Sequence, residues 1–151
     1  MLRKWFSLVA LLASTVLLSG IQPAAAQSSG RTVKVKLHYT GNGTVDEKHK
    51  IFVVLFDTPD FTKGAAAMPI GIEEAVSKNA TVTFSNVSTS PVYAAASYDP
   101  TGNYDGHSGP PPSGTSLGMY TKTPPAPEPI KVEPGQSVQV EITFNDTQKV
   151  P

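Results

Sequence analysis

The sequence predicts an all-β protein, an antiparallel β-sandwich of about seven short strands. Several short segments alternate apolar and polar side chains with a period of two, as half-buried strands do. Glycine, proline, asparagine and aspartate, the residues that favour turns, separate these segments. The chain has no heptad repeat and no long amphipathic helix. Many short strands with little helix favour a sandwich over a barrel.

The first two predicted strands flank a polar turn region. Segment 33–39 alternates four apolar residues with lysine and histidine, which predicts a half-buried strand. Segment 51–56 is apolar throughout, which predicts a central strand buried on both faces. Between them, 40–50 is rich in glycine and charge, and we expect it to close a hairpin that pairs the two strands. The stretch 61–78 fits either a helical turn or an irregular edge segment.

The second half of the chain contains the remaining strand signals and one long loop. Segments 80–84, 91–98 and 137–144 alternate, and Ile130–Val132 predicts a shorter strand. Glu133–Gln136 has proline and glycine in the central places that a type II turn requires. Residues 99–129 hold eight of the 14 prolines and five of the 12 glycines, which predicts a loop. A loop of this length in a compact domain is usually functional or mobile.

The first 26 residues have the three parts of a secretory signal peptide. A basic start at Met1–Lys4 precedes an apolar run over 5–18, and the small residues Ala24–Ala26 form the exit. The alternative, a membrane anchor helix, needs roughly 18–20 apolar residues, and this run is shorter. We predict cleavage between Ala26 and Gln27, a flexible lead-in at 27–31, one sandwich domain at 32–147 and a tail at 148–151. The mature protein would be periplasmic or secreted, without a membrane span.

Charge and cysteine content exclude several classes of protein. Cleavage leaves 125 residues with a formal charge of −2, because Arg3 and Lys4 leave with the signal peptide. This balance argues against nucleic acid or an anionic membrane surface as a partner. The chain has no cysteine, which excludes a disulfide scaffold and a thiolate metal site. An exported sandwich of this kind must be held together by packing and backbone pairing.

Three segments in the middle of the chain resemble a known family: Val82-Thr-Phe-Ser-Asn-Val87, Pro91-Val-Tyr-Ala-Ala-Ala-Ser-Tyr-Asp99 and Gly102-Asn-Tyr-Asp105. They are similar to small exported bacterial β-sandwich proteins of unassigned function, the DUF2141 type. The turn at Val132–Gln136 before the last strand resembles carboxypeptidase-regulatory and other transthyretin-like domains. These resemblances imply an immunoglobulin-like or transthyretin-like sandwich, exported and non-enzymatic, and they imply no known ligand.

A cation site is the sharpest chemical candidate in the sequence. Oxygen-bearing side chains recur at every second position in Asp99, Thr101, Asn103 and Asp105. This spacing lets one loop wrap Ca²⁺, with Asp99, Asn103 and Asp105 as ligands and Thr101 as a further one. Asp57 would help if its strand end lies at the same edge. The alternative is a turn in which the aspartates and asparagine accept hydrogen bonds from neighbouring amides, without an ion.

The 99–129 loop and its start also carry the side chains of a contact surface, Tyr98, Tyr104, His107 and Tyr120. Tyrosine supplies a large contact area at low entropic cost, and the surrounding prolines would keep the loop semi-rigid. The alternative is that the tyrosines close the ends of the sandwich while the prolines block edge pairing.

Motifs of catalysis are missing from the sequence. No serine lies in a Gly-x-Ser-x-Gly elbow between a predicted strand and a predicted helix, and there is no phosphate-cradling glycine motif and no paired-carboxylate signature. We therefore predict an exported, monomeric, non-enzymatic module that binds a protein or a cell-envelope glycan through its 99–129 loop, with no cofactor. One alternative is a sandwich stabilised by Ca²⁺ in the 99–107 loop. The other is a small secreted hydrolase in which His107 and aspartates share one cleft.

Overall fold

Seven strands form two sheets, which confirms the predicted β-sandwich. The computed structural model describes residues 30–63 and 67–150. The strands are β1 Arg31–Tyr39, β2 Ile51–Phe56, β3 Gly71–Ala75, β4 Thr81–Val87, β5 Tyr93–Tyr98, β6 Ser116–Met119 and β7 Ser137–Phe144. A short 3₁₀ helix, Pro59–Lys63, follows β2. The predicted signal peptide lies outside the described residues, and none of the helices within them could cross a membrane.

The chain passes between the sheets where the sequence predicted a hairpin. One sheet has the strand order β4-β1-β7 and the other β3-β2-β5-β6. Since β1 and β2 lie in different sheets, the predicted hairpin is wrong, and 40–50 is a crossing segment. The prediction of antiparallel pairing throughout is also wrong, because β7 pairs with β1 in parallel. The chain reaches β7 only after passing through the other sheet, and a parallel pair requires such a long crossover.

The core lies between the two sheets and contains the inward residues that the alternation predicted. On the three-stranded sheet these are Val33, Val35, Leu37, Tyr39, Val82, Phe84, Val140, Ile142 and Phe144. They pack against the alternate residues of β2 and β5, which are Ile51, Val53, Leu55, Ala94, Ala96 and Tyr98. β6 contributes Gly118, where an added Cβ would meet Phe144 at 2.5 Å. The small residue lets β6 and β7 approach at the open side of the sandwich.

Several local predictions differ from the structure. β3 forms within 61–78 and β6 within the predicted 99–129 loop. The predicted strand at Ile130–Val132 makes one isolated bridge, between Ile130 and Val92, because the next amide, that of Val132, donates to the Ser90 hydroxyl instead. Residues 148–150, predicted as a tail, bond to 114–117 and extend the four-stranded sheet. The turn prediction is confirmed: Gln136 donates to the Glu133 carbonyl at 3.0 Å and Gly135 has φ of 77°.

Candidate functional site

Asp99 leaves the end of β5 and organises the loop that follows. Its side chain is only 3% exposed. Oδ1 accepts the Thr101 amide at 2.9 Å, and Oδ2 accepts the Asn103 and Tyr104 amides, each at 3.0 Å. The Thr101 hydroxyl also donates to Oδ2 at 2.7 Å. Burial by itself would raise the pKa of Asp99, but these hydrogen bonds, led by those from Thr101, outweigh it and hold the pKa below its ordinary value.

Asp105 makes a second, exposed turn of the same kind. Its Oδ1 accepts the amides of His107 at 2.9 Å and Ser108 at 2.8 Å, and its Oδ2 accepts the Ser108 hydroxyl at 2.6 Å. These hydrogen bonds, led by the one from the Ser108 hydroxyl, lower the pKa of Asp105 to about 2. Both carboxylates therefore hold donors of their own loop, as in the ion-free alternative for this motif.

The structure does not bring Asp57 to this loop. Ile51 pairs with Tyr98 and Phe56 pairs with Tyr93, so Asp57 and Asp99 leave opposite ends of the β2–β5 pair. The separation is roughly 20 Å, the length of six extended residues. The predicted help from Asp57 is wrong. Within residues 30–63 and 67–150, histidine, aspartate and glutamate side chains form no group of three or more that could hold a metal ion. The calcium site at Asp99, Asn103 and Asp105 stays a prediction.

The loop folds down onto the outer face of β2. Gly102 and Gly106 have φ of 68° and 77°, and an added Cβ at Gly106 would meet the Phe52 ring at 2.5 Å. The Tyr104 ring lies edge-on to Phe52, with centroids 5.1 Å apart, and its hydroxyl donates to the Gly109 carbonyl at 2.8 Å. These contacts give Tyr104 a fixed position beside the sheet.

The four residues of the predicted contact surface have different environments. Tyr98 is 3% exposed, packs on Tyr39 at 4.8 Å and donates to the Thr44 carbonyl. It closes the end of the sandwich, and its placement on an exposed surface is wrong. Tyr104 and Tyr120 are half-buried, and His107 is exposed. Tyr104, Tyr120 and His107 therefore remain available to a partner.

The histidines and aspartates do not share a cleft among the described residues. His38 bonds Asn79 at 2.6 Å, while His49 bonds Asp46 at 3.0 Å. Asp105 accepts the backbone amide of His107 and no bond from its ring. Two surface grooves lie at the open sides of the sandwich, and neither is lined by a histidine or an aspartate.

The outer faces of the two sheets differ in polarity. The outer face of the three-stranded sheet carries only exposed polar or charged residues: Lys34, Lys36, His38, Thr81, Thr83, Ser85, Gln139, Glu141 and Thr143. On the four-stranded sheet, the corresponding face carries mainly apolar and aromatic residues: Ile72, Phe52, Val54, Phe56, Tyr93, Ala95, Leu117 and Met119. A solvated sheet face is normally polar, so the second face requires an explanation.

The chain covers the four-stranded face at two places and leaves the middle open. Tyr104 covers Phe52, and Phe61 of the 3₁₀ helix stacks on Phe56 with ring centroids 4.5 Å apart. Between these covers, four cross-strand neighbours from four strands form a partly exposed line, which we call the apolar row: Ile72, Val54, Ala95 and Met119. The row was not predicted from the sequence, although the unbroken apolar run of β2 indicated that its outer face is apolar.

A polar cluster that the sequence did not predict lies at the end of the sandwich. Asp146 accepts the Tyr39 hydroxyl, the Ser116 hydroxyl at 2.8 Å and the Asn42 amide at 2.9 Å. Burial, followed by the bond to Asp146, raises the pKa of Tyr39, while the Tyr39 hydroxyl holds the pKa of Asp146 below its ordinary value. The cluster joins the ends of β1, β6 and β7 and is structural in its geometry.

Comparisons with known proteins give one distant structural likeness. No family model and no curated protein matches the chain. Its structure is similar to that of an alternative pilotin from the type II secretion system of Vibrio cholerae, with a TM-score of 0.47 and 12% identity. The match covers 81% of this chain and 98% of that chain. At this distance the likeness carries no function over to this chain.

Proposed function

We propose that the mature chain is an exported, monomeric, non-enzymatic module that binds a protein partner through the outer face of its four-stranded sheet. The apolar row is the observation that carries this proposal. Its four side chains are partly exposed, beside Phe52 and Phe56, which Tyr104 and Phe61 cover. The predicted 99–129 segment remains part of the surface, because β6 contributes Leu117 and Met119 to it.

The contrast with the other sheet supports the proposal. Both outer faces belong to one molecule in one solvent, and the face of the three-stranded sheet is polar at every position. Apolar side chains on an outer face gain free energy when a partner removes them from water, about 25 cal/mol per Å² of area buried. The rings of Tyr104 and Phe61 already hold Phe52 and Phe56 in place on the two sides of the row, so binding a partner would cost less side-chain entropy.

The chemistry of the row favours a protein over a glycan. Ile72, Val54, Ala95 and Met119 have no hydrogen-bonding side chains, and a sugar needs donors and acceptors at its hydroxyl groups. Methionine adapts its shape to different apolar partners. The rim has the polar groups of a protein interface, since Glu74 and His107 are exposed around this face.

Export places the partner in the periplasm or outside the cell. The proposed signal peptide ends at Ala26, and β1 begins at Arg31. Cleavage after Ala26 would therefore leave every strand of the sandwich intact. Mass spectrometry of the protein from the cell envelope or medium should give a first residue of Gln27.

The absence of cysteine allows a site-specific cross-linking test. A single cysteine at Met119→Cys, labelled with a benzophenone maleimide, reports on the apolar row. The control is Thr143→Cys on the polar outer face of the other sheet. On irradiation in an envelope extract of the source organism, we expect the Met119→Cys protein to form an adduct with a defined protein and the control to form none.

Two further observations bear on the same test. The cross-linked protein, purified and titrated against the chain, should bind with at least tenfold lower affinity to Val54→Lys, and it should keep its mass after incubation. Equal adducts from both cysteine positions, or a partner that is cleaved or modified during incubation, would overturn the proposed function.

A further inference from the structure

Four strands lie at sheet edges, and three of these edges are protected against pairing with another chain. β3 has only five residues, two of which are the adjacent glutamates Glu73 and Glu74. β4 has a register shift against β1 and a positive φ of 56° at Asn86. The edge of β6 is covered by residues 148–150. Short length, charge, a bulge and covering chain are the devices by which proteins block strand addition.

The fourth edge, β7, has none of these devices. It runs for eight residues, Ser137–Phe144, and pairs with β1 without a register shift. It has no proline and no lysine, and Glu141 is its one charged residue. Within residues 30–63 and 67–150, no other segment bonds to the side of β7 that faces away from β1. β7 is therefore a long, regular edge with unpaired backbone groups.

The register shows which backbone groups are unpaired. Thr32 donates to the carbonyl of Gln136, and Thr40 donates to that of Phe144. In a parallel ladder, the even-numbered residues from 136 to 144 therefore direct their amide and carbonyl groups toward β1. The odd-numbered residues Gln139, Glu141 and Thr143 direct theirs to the open edge. Their spacing of two residues matches the backbone of an added strand.

A groove lies beside the C-terminal end of this edge. It has a volume of about 240 Å³ and is bounded by Thr143 and Phe144 on one side and by Leu117, Met119 and the Pro124–Pro125 turn on the other. An added strand would point alternate side chains inward, on the same side as Val140, Ile142 and Phe144. The last of these inward side chains would enter the groove, whose volume accommodates a bulky apolar side chain.

We propose that β7 accepts an extended peptide of a partner protein as an added strand of the three-stranded sheet. The peptide alternates, with apolar side chains facing the open side of the sandwich and polar ones facing solvent beside Gln139 and Glu141. Main-chain hydrogen bonds supply the affinity, and the groove selects one apolar residue. The proposal does not rest on the proposed function, because the backbone groups of β7 lie on the other sheet from the apolar row, which shares only Met119 with the lining of the groove.

The probe is a library of random twelve-residue peptides displayed on phage and selected against the mature chain. The strongest binder is then synthesised and titrated. We expect its sequence to alternate and its affinity to fall at least tenfold for Glu141→Pro. Proline removes one outward amide and is tolerated at an edge position whose amide faces solvent. Glu141→Gln keeps that amide and loses only the ion pair with Lys36, and Thr83→Pro makes the matched change on β4. Both controls should bind like the wild type.

A scan of the peptide itself keeps the proposal testable if Glu141→Pro does not fold. Methylating the backbone nitrogens of the peptide one at a time should weaken binding to the wild-type chain at every second position. Equal affinity for wild type and folded Glu141→Pro, no two-residue period in the scan, or no selected binder would overturn the proposal. So would a wild-type dimer that Glu141→Pro converts to a monomer, because a second copy would then occupy the edge. None of these results bears on the apolar row.

Discussion

The side chain of Asp99 shows how one buried carboxylate replaces secondary structure. Its two oxygens accept the backbone amides of Thr101, Asn103 and Tyr104, which follow the end of β5. The spacing of oxygen ligands in the sequence is the same for this turn as for a calcium loop. Sequence alone therefore left the two alternatives open; in the structure the three amides point at the carboxylate, and the calcium site stays a prediction.

We expect Asp99→Asn to destabilise the chain by about 1–3 kcal/mol, the cost of leaving buried donors without acceptors. An amide can turn only one oxygen to the loop, so its NH₂ group must face amide hydrogens in either orientation. The measurement is the free energy of unfolding in urea. Asp105→Asn is the matched control, because Asp105 is exposed, and it should cost less.

The same pair tests the calcium prediction. Because Asp99 and Asp105 hold their own loop through hydrogen bonds, we expect millimolar Ca²⁺ to leave the melting temperature of the wild type unchanged. A rise in melting temperature that Asp99→Asn and Asp105→Asn both abolish would show instead that the ion displaces these donors.

At the scale of elements, two kinds of strand could be predicted from the sequence: strands with one buried and one solvated face, from their alternation, and β2, from its unbroken apolar run. β1, β4 and β7 alternate because the outer face of their sheet is polar. β6 could not be found in this way, since its inward residues are Ser116 and Gly118 and its outward ones are apolar. Gly118 is small because Phe144 lies against it, a constraint that exists only once the sheets are packed. Likewise, the apolar row depends on the register of four strands.

The segment after β7 is part of the sheet, which leads to a test by truncation. The carbonyl of Gln148 accepts the Leu117 amide, Val150 donates to the Thr115 carbonyl, and the Val150 carbonyl accepts the Gly114 amide, each at 2.9 Å. Ending the chain after Thr147 removes these three bonds, and each contributes about 0.5–1.5 kcal/mol net.

We expect this truncation to lower the free energy of unfolding by about 2–4 kcal/mol and to increase aggregation, because it uncovers the edge of β6. Unfolding in urea and light scattering measure the two effects. Gln148→Ala is the control, since it keeps the backbone in place and should behave like the wild type. A truncated chain of unchanged stability would show that 148–150 is a tail, as the sequence predicted.

At the scale of the whole molecule, a chain without cysteine is closed at one end by a polar cluster. The Tyr39 ring packs against those of Tyr98 and Phe144 in tilted contacts, with centroids 4.8 and 4.9 Å apart, and its hydroxyl donates to Asp146. The contact of Tyr39 with Tyr98 and the charge-assisted hydrogen bond from Ser116 of β6 to Asp146 thus join the two sheets where other exported domains use a disulfide. Because carboxyl and phenol groups titrate, the stability that this cluster contributes should depend on pH.

The two arms of this dependence follow from opposite pKa shifts. The pKa values of Asp99, Asp105 and Asp146 lie below the ordinary 3.8, so their contribution is present above that pH and is lost as the pH falls through the folded values. The pKa values of Tyr39, Tyr98 and Tyr104 lie above the ordinary 10.0, chiefly through burial. Their contribution is present below pH 10 and is lost as the pH rises above it.

We therefore expect the free energy of unfolding, measured in urea, to be constant between about pH 5 and 9 and to decrease at lower and at higher pH. Between about pH 5 and 9, Tyr39→Phe should lower the free energy of unfolding by about 1–3 kcal/mol, because Asp146 loses the Tyr39 hydroxyl as a donor. The loss of stability at alkaline pH should also be less steep, because one tyrosine no longer ionises on unfolding. Tyr93→Phe, which changes a half-buried tyrosine on the outer face of β5, is the control and should leave both arms in place. If the free energy of unfolding of Tyr39→Phe decreases at alkaline pH as steeply as that of the wild type, then Tyr39 ionises in the folded chain and its bond to Asp146 does not close the sandwich.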